Sequence, residues 1–212
     1  MTFAVRTLGL APDFVDYRAA WDLQRQLHEQ VRSGSAPSTL LLLEHSPVYT
    51  AGKRTEDFER PADGTEVIDI DRGGRITWHG PGQLVAYFIY RLRDPKDVRL
   101  FVDQVEEAVL GLLPEYGIEG QRVEGRSGVW LPAGAGRPER KIAAVGIRIH
   151  EGVTMHGLSL NCSNDSAGFD AIVPCGIPDA GVTTMSEEAG RTIAPADVAD
   201  ELASALNRTI TA

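Results

Sequence analysis

The sequence predicts an α+β fold, a mixed and mostly antiparallel sheet packed with helices, and three observations carry that expectation. Short β-branched or aromatic runs bounded by turn residues fill the central half of the chain. Only a few amphipathic stretches long enough for helices interrupt them, so the regular crossovers of a doubly wound parallel sheet are missing. Two of the central runs are separated by Glu151-Gly152 alone, the spacing of a hairpin.

Taken in order, the first helix is expected over 16–33. Tyr17, Ala20, Trp21, Gln24, Leu27 and Val31 share one face there, and Gly34 follows as a stop. Segments 40–43, 67–70 and 84–90 read as strands. Val98, Phe101, Val102, Val105, Val109, Leu112 and Leu113 make the stripe of a second helix, with Gly117 past its end. Strands return at 129–131, 142–149 and 153–160. A third helix spans 195–210, with Pro195 at its start and Val198, Leu202, Leu206 and Ile210 inward. The Gly/Pro-rich stretch 132–138 is the candidate mobile loop. Composition does not change along the chain, so the expectation is one domain over 1–212.

Composition narrows the function classes. With 212 residues, 42% hydrophobic and 24% charged, the chain is an ordinary globular one, neither disordered nor fibrous. Its formal charge of −9 argues against sequence-independent nucleic-acid binding, which needs a basic surface. The longest unbroken apolar run, 84–90, falls far short of the roughly 20 residues of a membrane span. The N-terminus lacks the basic and apolar regions of a secretory signal, and two cysteines make no disulfide framework. These features predict a soluble, cytoplasmic protein.

Spacing sets several chemistries aside. Gly52-Lys53 is followed by Arg54, so there is no phosphate-binding P-loop. Gly80-Pro81-Gly82 has Val85 where a dinucleotide fingerprint needs its third glycine. There is no Gly-x-Ser-x-Gly elbow, and Cys162 and Cys175 lack the close partners of a zinc site. His150 and His156 could meet across the hairpin, but without a ligand-spaced acidic or cysteine neighbour they read as satisfied histidines.

What remains is Arg72-Gly73-Gly74-Arg75-Ile76-Thr77-Trp78-His79 running into Gly80-Pro81-Gly82-Gln83, then Lys141 through Ala144-Val145-Gly146, then His156-Gly157-Leu158-Ser159, and finally Pro174-Cys175-Gly176. Glycines beside Arg and His expose backbone N–H groups next to polar side chains, as a carbonyl or oxyanion site needs. Cys175, between Pro and Gly, reads either as a buried small hydrophobe or as a nucleophile, and Cys162 as a structural thiol. Lys141 opens the most apolar strand, where a solubilising edge lysine is the plain alternative.

Together with Asp16-Tyr17 and the Leu43-Glu44-His45-Ser46-Pro47-Val48-Tyr49 segment, these stretches closely resemble the octanoyltransferase family of lipoate biosynthesis. The resemblance spans nearly the whole chain. Lys53, where the family more often has arginine, is a small departure. The resemblance implies the fold of the biotin/lipoate protein ligase catalytic domain and a cytoplasmic monomer without metal, nucleotide or other cofactor. The implied reaction moves an octanoyl group from octanoyl-acyl carrier protein to a lysine of lipoyl domains, as in 2-oxoacid dehydrogenase complexes. Carried over residue by residue, Cys175 becomes the nucleophile that forms an acyl-thioester and Lys141 its dyad partner. Segments 72–79, 144–146 and 157–159 become the acyl-binding walls.

Elementary chemistry agrees with that implication. A thiol of ordinary pKa, about 8.5, is a few per cent thiolate at neutral pH, and a nearby lysine stabilises the thiolate if charged or takes the thiol's proton if desolvation has lowered its own pKa. Exchange of one thioester for another is nearly thermoneutral and aminolysis to an amide is downhill, so no ATP is needed. An apolar tunnel for the acyl chain contributes about 0.8 kcal/mol per buried CH₂. Acidic partner proteins, however, should be repelled by a chain of charge −9. The reading therefore requires a local basic face, for which Lys53, Arg54, Arg75, Arg137, Arg140 and Arg148 are the candidates. The rival readings are an ATP-dependent lipoate or biotin ligase on the same fold, a thiol hydrolase pairing Cys175 with His79 or His156, and an acyl-binding module with an inert Cys175.

Overall fold

A computed structural model describes residues 3–94, 97–134, 136–172 and 180–210. In chain order the elements are β1 (Ala4–Gly9), α1 (Tyr17–Ser33), β2 (Thr39–Leu43), β3 (Val48–Ala51), β4 (Val67–Asp69), β5 (Thr77–His79), β6 (Gln83–Ile89), α2 (Val98–Leu112), β7 (Gln121–Val123), β8 (Arg126–Leu131), β9 (Arg140–His150), β10 (Val153–Asn161), β11 (Gly181–Val182), α3 (Met185–Ala189) and α4 (Pro195–Thr209). The described strands form an eight-stranded sheet, β1-β2-β6-β10-β9-β8-β7 with β11 also pairing β9, and a three-stranded sheet, β4-β3-β5. Only β1–β2, β3–β4 and β9–β11 pair in parallel, so the mixed, mostly antiparallel expectation is met.

The unbroken apolar runs have a simple cause: both faces of the large sheet are covered. In β6, Leu84, Ala86 and Phe88 enter the core beneath α2 and α4, while Val85, Tyr87 and Ile89 enter a second core beneath α1. Leu40 and Leu42 against Leu41 and Leu43 divide in the same way. Helix α1 starts where the Asp16 side chain accepts the Ala19 N–H at 2.9 Å and ends at Gly34 in the left-handed conformation. Helix α4 begins on Pro195, as expected. The inner face of α2 begins at Phe101, and Val98, assigned to the stripe from sequence, is 39% exposed. The β9–β10 hairpin turns on Glu151 and Gly152, both at positive φ (48° and 77°), the geometry of a two-residue turn that matches strand twist.

The elements not foreseen are short or exposed: β1, β3, β5, β7, β11 and α3. A third core links Ile76 and Trp78 from the β5 region to Phe169 and Ile172, with Tyr49 and Val67 of the small sheet and Val182 of β11 packed against it.

Gly157, opposite Tyr87 on β6, sits where two strands crowd. A Cβ there would meet the Ala86 carbonyl oxygen at 2.0 Å and the Phe88 ring at 2.9 Å. Gly157→Ala is therefore expected to destabilise the protein by about 2 kcal/mol or more, measured as a fall in the urea midpoint at unchanged slope.

Candidate active site

Lys141 reaches the site through an irregularity in its strand. Val129 pairs with Ala143, but the next residue of β8, Trp130, pairs with Lys141, so β9 carries one extra residue at Ile142. Ile142 and Ala143 both pack into the α2/α4 core. Without the extra residue, strand alternation would send Lys141 to the same face as Ala143. With it, Lys141 turns to the opposite face. There its Nζ lies 4.5 Å from the centroid of the Trp130 ring and its residue is 7% exposed. Beside the bulge Gly128, at φ 107°, comes so near Ala143 that a Cβ would meet the Ala143 oxygen at 2.3 Å. The Gly128 N–H is held by the buried Glu106 carboxylate at 2.6 Å.

Lys141 stands where two cavities meet. The larger, about 270 Å³, is bounded by the 72–79 segment, the 125–127 turn and one face of β6, β9 and β10. The smaller, about 20 Å³, lies among Trp130, Phe169, Gln83, Asn161 and residues 180–182. Lys141, Thr77, Ala144 and Ser159 line both. Of the sequence candidates, Arg72, Gly74, Arg75, Thr77, His79, Ala144, Val145, Gly146, Gly157, Leu158 and Ser159 line the large cavity. Ile76 and Trp78 do not: alternation turns them into the third core, where Trp78 meets Phe169 edge-on at 5.5 Å. Gly73 is likewise off the cavity wall, and its N–H donates to the Ile147 carbonyl at 3.1 Å, tying the loop to β9. Arg72 is also a strut. Its guanidinium donates to the carbonyls of Gly73, Arg75 and Thr50 at 2.8 to 3.0 Å, fixing the glycine loop to β3.

The inner wall is a directed chain of hydrogen bonds. Val15 offers a carbonyl, so His45 Nδ1 donates to it (2.8 Å) and Nε2, in the neutral ring, accepts from the Tyr87 hydroxyl (2.7 Å). The Tyr17 hydroxyl is coupled to that of Tyr87, and burial raises the pKa of both. Burial holds His45 neutral by lowering its pKa to about 4. His79 is neutral for the same reason, its pKa lowered to about 3 by burial first and His45 second. Its tautomer follows from a second chain. Asn161 donates to the Thr183 carbonyl (3.0 Å) and accepts from Gln83 Nε2 (2.9 Å), so Gln83 Oε1 accepts from His79 Nδ1 at 2.7 Å. The wall thus presents aromatic rings whose linked polar groups are turned toward one another, suited to an alkyl chain.

Sequence reasoning missed Tyr17, Val85, Tyr87 and the 125–127 turn as cavity residues. The available signal was alternation, which puts Val85 and Tyr87 on one face of a strand already identified. His150 and His156 do not meet. His150 stacks near His28 at 5.9 Å between ring centroids, and His156 donates from Nε2 to Asp71 at 2.9 Å. The acidic partner judged absent by spacing is supplied by another element. Burial lowers the His156 pKa, while the His156 hydrogen bond lowers that of Asp71. Cys162 is fully buried and its thiol is pushed up to about 12, a structural group. Cys175 lies outside the described residues.

The proposed basic face narrows in the structure. Arg75 pairs with buried Glu59 at 2.8 Å, Arg148 with Asp71, and Arg137 and Arg140 both with Glu188. Among the described residues, Lys53 and Arg54 meet no carboxylate. Among the described residues the large cavity is lined by Arg54, Arg72, Arg75, Arg126 and Lys141 and by no acidic side chain, with Glu59 and Glu139 pairing Arg75 and Arg126 from behind the wall.

A family model described as the lipoyl protein ligase A/B catalytic domain matches residues 16–207. The chain belongs to that family. Within the lipoyl protein ligase A/B family it is 57% identical over 202 residues to a protein of Arthrobacter sp. (strain FB24) named octanoyltransferase, covering 95% of this chain and 91% of the relative. A Renibacterium salmoninarum octanoyltransferase is 61% identical over 189 residues, 89% of this chain and 81% of that one. Among solved structures, a bipartite lipoate protein ligase of Thermoplasma acidophilum superposes with a TM-score of 0.68 at 14% identity, covering 99% of this chain and 84% of that one. A lipoate-protein ligase A bound with ATP gives 0.64 at 16%, over 99% and 84%. These two likenesses are of fold.

Glu188 anchors the start of β9 next to Lys141. It receives two bonds from Arg140 (2.7 and 2.8 Å) and two from Arg137 (3.0 and 3.1 Å), and Arg140 first, then Thr183 and Arg137, pull its pKa down to about 2. A carboxylate with a depressed native pKa stabilises the fold above its unfolded pKa and loses that contribution as pH falls toward the native value. Glu188→Gln is expected to cost about 2 to 3 kcal/mol near pH 7. In urea melts the cost should shrink as pH falls below 4.5 toward about 2.

Proposed function

We infer that the chain transfers an octanoyl group from an octanoyl-acyl carrier protein to the ε-amine of a lipoyl-domain lysine, acting as a cytoplasmic monomer through a thioester on Cys175. Octanoyl transfer is the named activity of relatives that are 57% and 61% identical to this chain over the aligned residues. The observation that carries the mechanism is Lys141. It is buried, it meets no carboxylate among the described residues, and it stands at the junction of a positive, aromatic-walled cavity and a small one. Phe169 and residues 180–182, on either side of the Cys175 segment in sequence, line that small cavity with Lys141.

The chemistry proceeds in two balanced steps. The Cys175 thiolate attacks the thioester carbonyl, the carrier's C–S bond breaks, and the leaving thiolate takes a proton from Lys141. The incoming lysine amine then attacks the Cys175 thioester, Lys141 receives the amine proton, and an amide and a free Cys175 result. The acyl chain's apolar end lies against Tyr17, Val85 and Tyr87, with Arg72, Gly74, Arg75, Thr77 and His79 and the 144–146 and 157–159 segments around it.

The test is an intact mass after brief incubation with octanoyl-acyl carrier protein, without ATP or acceptor. One octanoyl group should be gained, discharged by a lipoyl domain and absent in Cys175→Ser. Lys141→Ala should slow its formation by about a hundredfold or more. Transfer that requires ATP and free octanoate would instead establish the ligase reading. Free octanoate released without an acceptor would establish the hydrolase, and transfer undiminished in Cys175→Ala a non-covalent route.

Charge recognition gives a second expectation. Lys53→Glu combined with Arg54→Glu should raise the KM for the acidic carrier about tenfold at low salt, a difference that added salt erases.

A further inference from the structure

Buried lysines ordinarily have a carboxylate partner. Lys141 has none among the described residues, and no hydrogen-bond acceptor there meets its Nζ. What it faces is the indole of Trp130, 4.5 Å from Nζ to the ring centroid. The geometry points to Trp130 as a positioning residue for the reaction. Its aromatic face holds the Lys141 ammonium at the junction of the two cavities, in the place a counter-ion would otherwise occupy. This rests on the reading of Lys141 as the partner of Cys175.

Three features make Trp130 a fixed platform. It is 1% exposed, and its indole Nε1 donates to the Arg126 carbonyl at 3.0 Å, so the ring is pinned to its own strand. The extra residue at Ile142 brings Trp130 and Lys141 into register as a cross-strand pair, directly opposite one another. Beside that register shift, the Gly128 N–H is clamped by the buried Glu106 carboxylate at 2.6 Å, which holds β8 where the shift occurs.

The choice of an arene over a carboxylate has a chemical consequence. A carboxylate there would accept the ammonium's N–H groups and so compete for them with a thiolate. An aromatic face attracts the cation through its quadrupole and accepts none of those N–H bonds in their full strength. Among the described residues no acceptor takes the Nζ donors, which leaves them first for the nucleophile and then for the departing thiolate. Trp130 also lines the smaller cavity, so the platform and the lysine share one wall.

The test replaces Trp130 site-specifically with mono-, di- and trifluorotryptophan, which keep the ring's shape while withdrawing negative charge from its face. The readout is the single-turnover rate of octanoyl-enzyme formation from octanoyl-acyl carrier protein, followed by intact mass. The logarithm of the rate should fall in proportion to the number of fluorines, about tenfold in all, with KM moved less than twofold. Trp130→Phe should retain more of the rate than Trp130→Leu. A flat fluorine series overturns the inference, however slow Trp130→Leu is. Octanoyl-enzyme that forms equally fast in every ring variant overturns the inference alone. No octanoyl-enzyme even with unmodified tryptophan overturns the Cys175–Lys141 reading, and the inference with it.

Discussion

Between Ala143 and Lys141 strand β9 contains one residue more than β8 beside it, and most of the site depends on that difference. Ile142 and Ala143 both turn into the core under α2 and α4, which frees Lys141 to face the other way, onto Trp130 and between two cavities. A regular strand of the same composition would bury the lysine in an apolar core, where an unpaired charge is not tolerated. The bulge is held on one side by the Glu106 carboxylate on Gly128 and on the other by the Arg140–Glu188 clamp. The orientation of Lys141 therefore rests on contacts that lie outside both cavities.

Electrostatics divide the molecule in a similar way. The chain as a whole carries −9, yet among the described residues the large cavity is lined by arginines and a lysine and by no acidic side chain. Carboxylates that balance these cations lie behind the wall, as buried Glu59 does behind Arg75. A cavity lined with cations in an acidic chain offers acidic groups a local attraction that the net charge alone would not. It also makes local field, rather than net charge, the quantity that matters for encounter.

Beyond the cations, the cavity changes character. His45 and His79 are neutral because burial penalises their charged forms, and their tautomers are dictated by the Val15 carbonyl and by the Gln83–Asn161–Thr183 chain. The Tyr87 hydroxyl directs its proton into the same network, at His45. Residues that look polar in sequence thus form a wall with few free donors. One cavity can then suit both a polar thioester end and an alkyl end.

Helix α1 was legible from Asp16, its apolar stripe and Gly34, because caps and 3.6-residue periodicity are local properties. The β9–β10 hairpin was legible from Glu151-Gly152 for the same reason, and the family from the 72–83, 141–146 and 174–176 segments read together. Alternation could have divided 72–79 into cavity residues such as Thr77 and His79 and core residues such as Trp78, but not without knowing which face was open. The partner of His156 was not legible, since Asp71 lies on a different element. Nor were the ion pairs that remove Arg75, Arg137, Arg140 and Arg148 from the free basic face, or the arene that holds Lys141. Local sequence determined the elements, the chemistry-bearing residue types and the family. Which side chains meet, which charges remain unpaired and which way Lys141 points were decided by strand register and burial, which exist only once distant segments pack together.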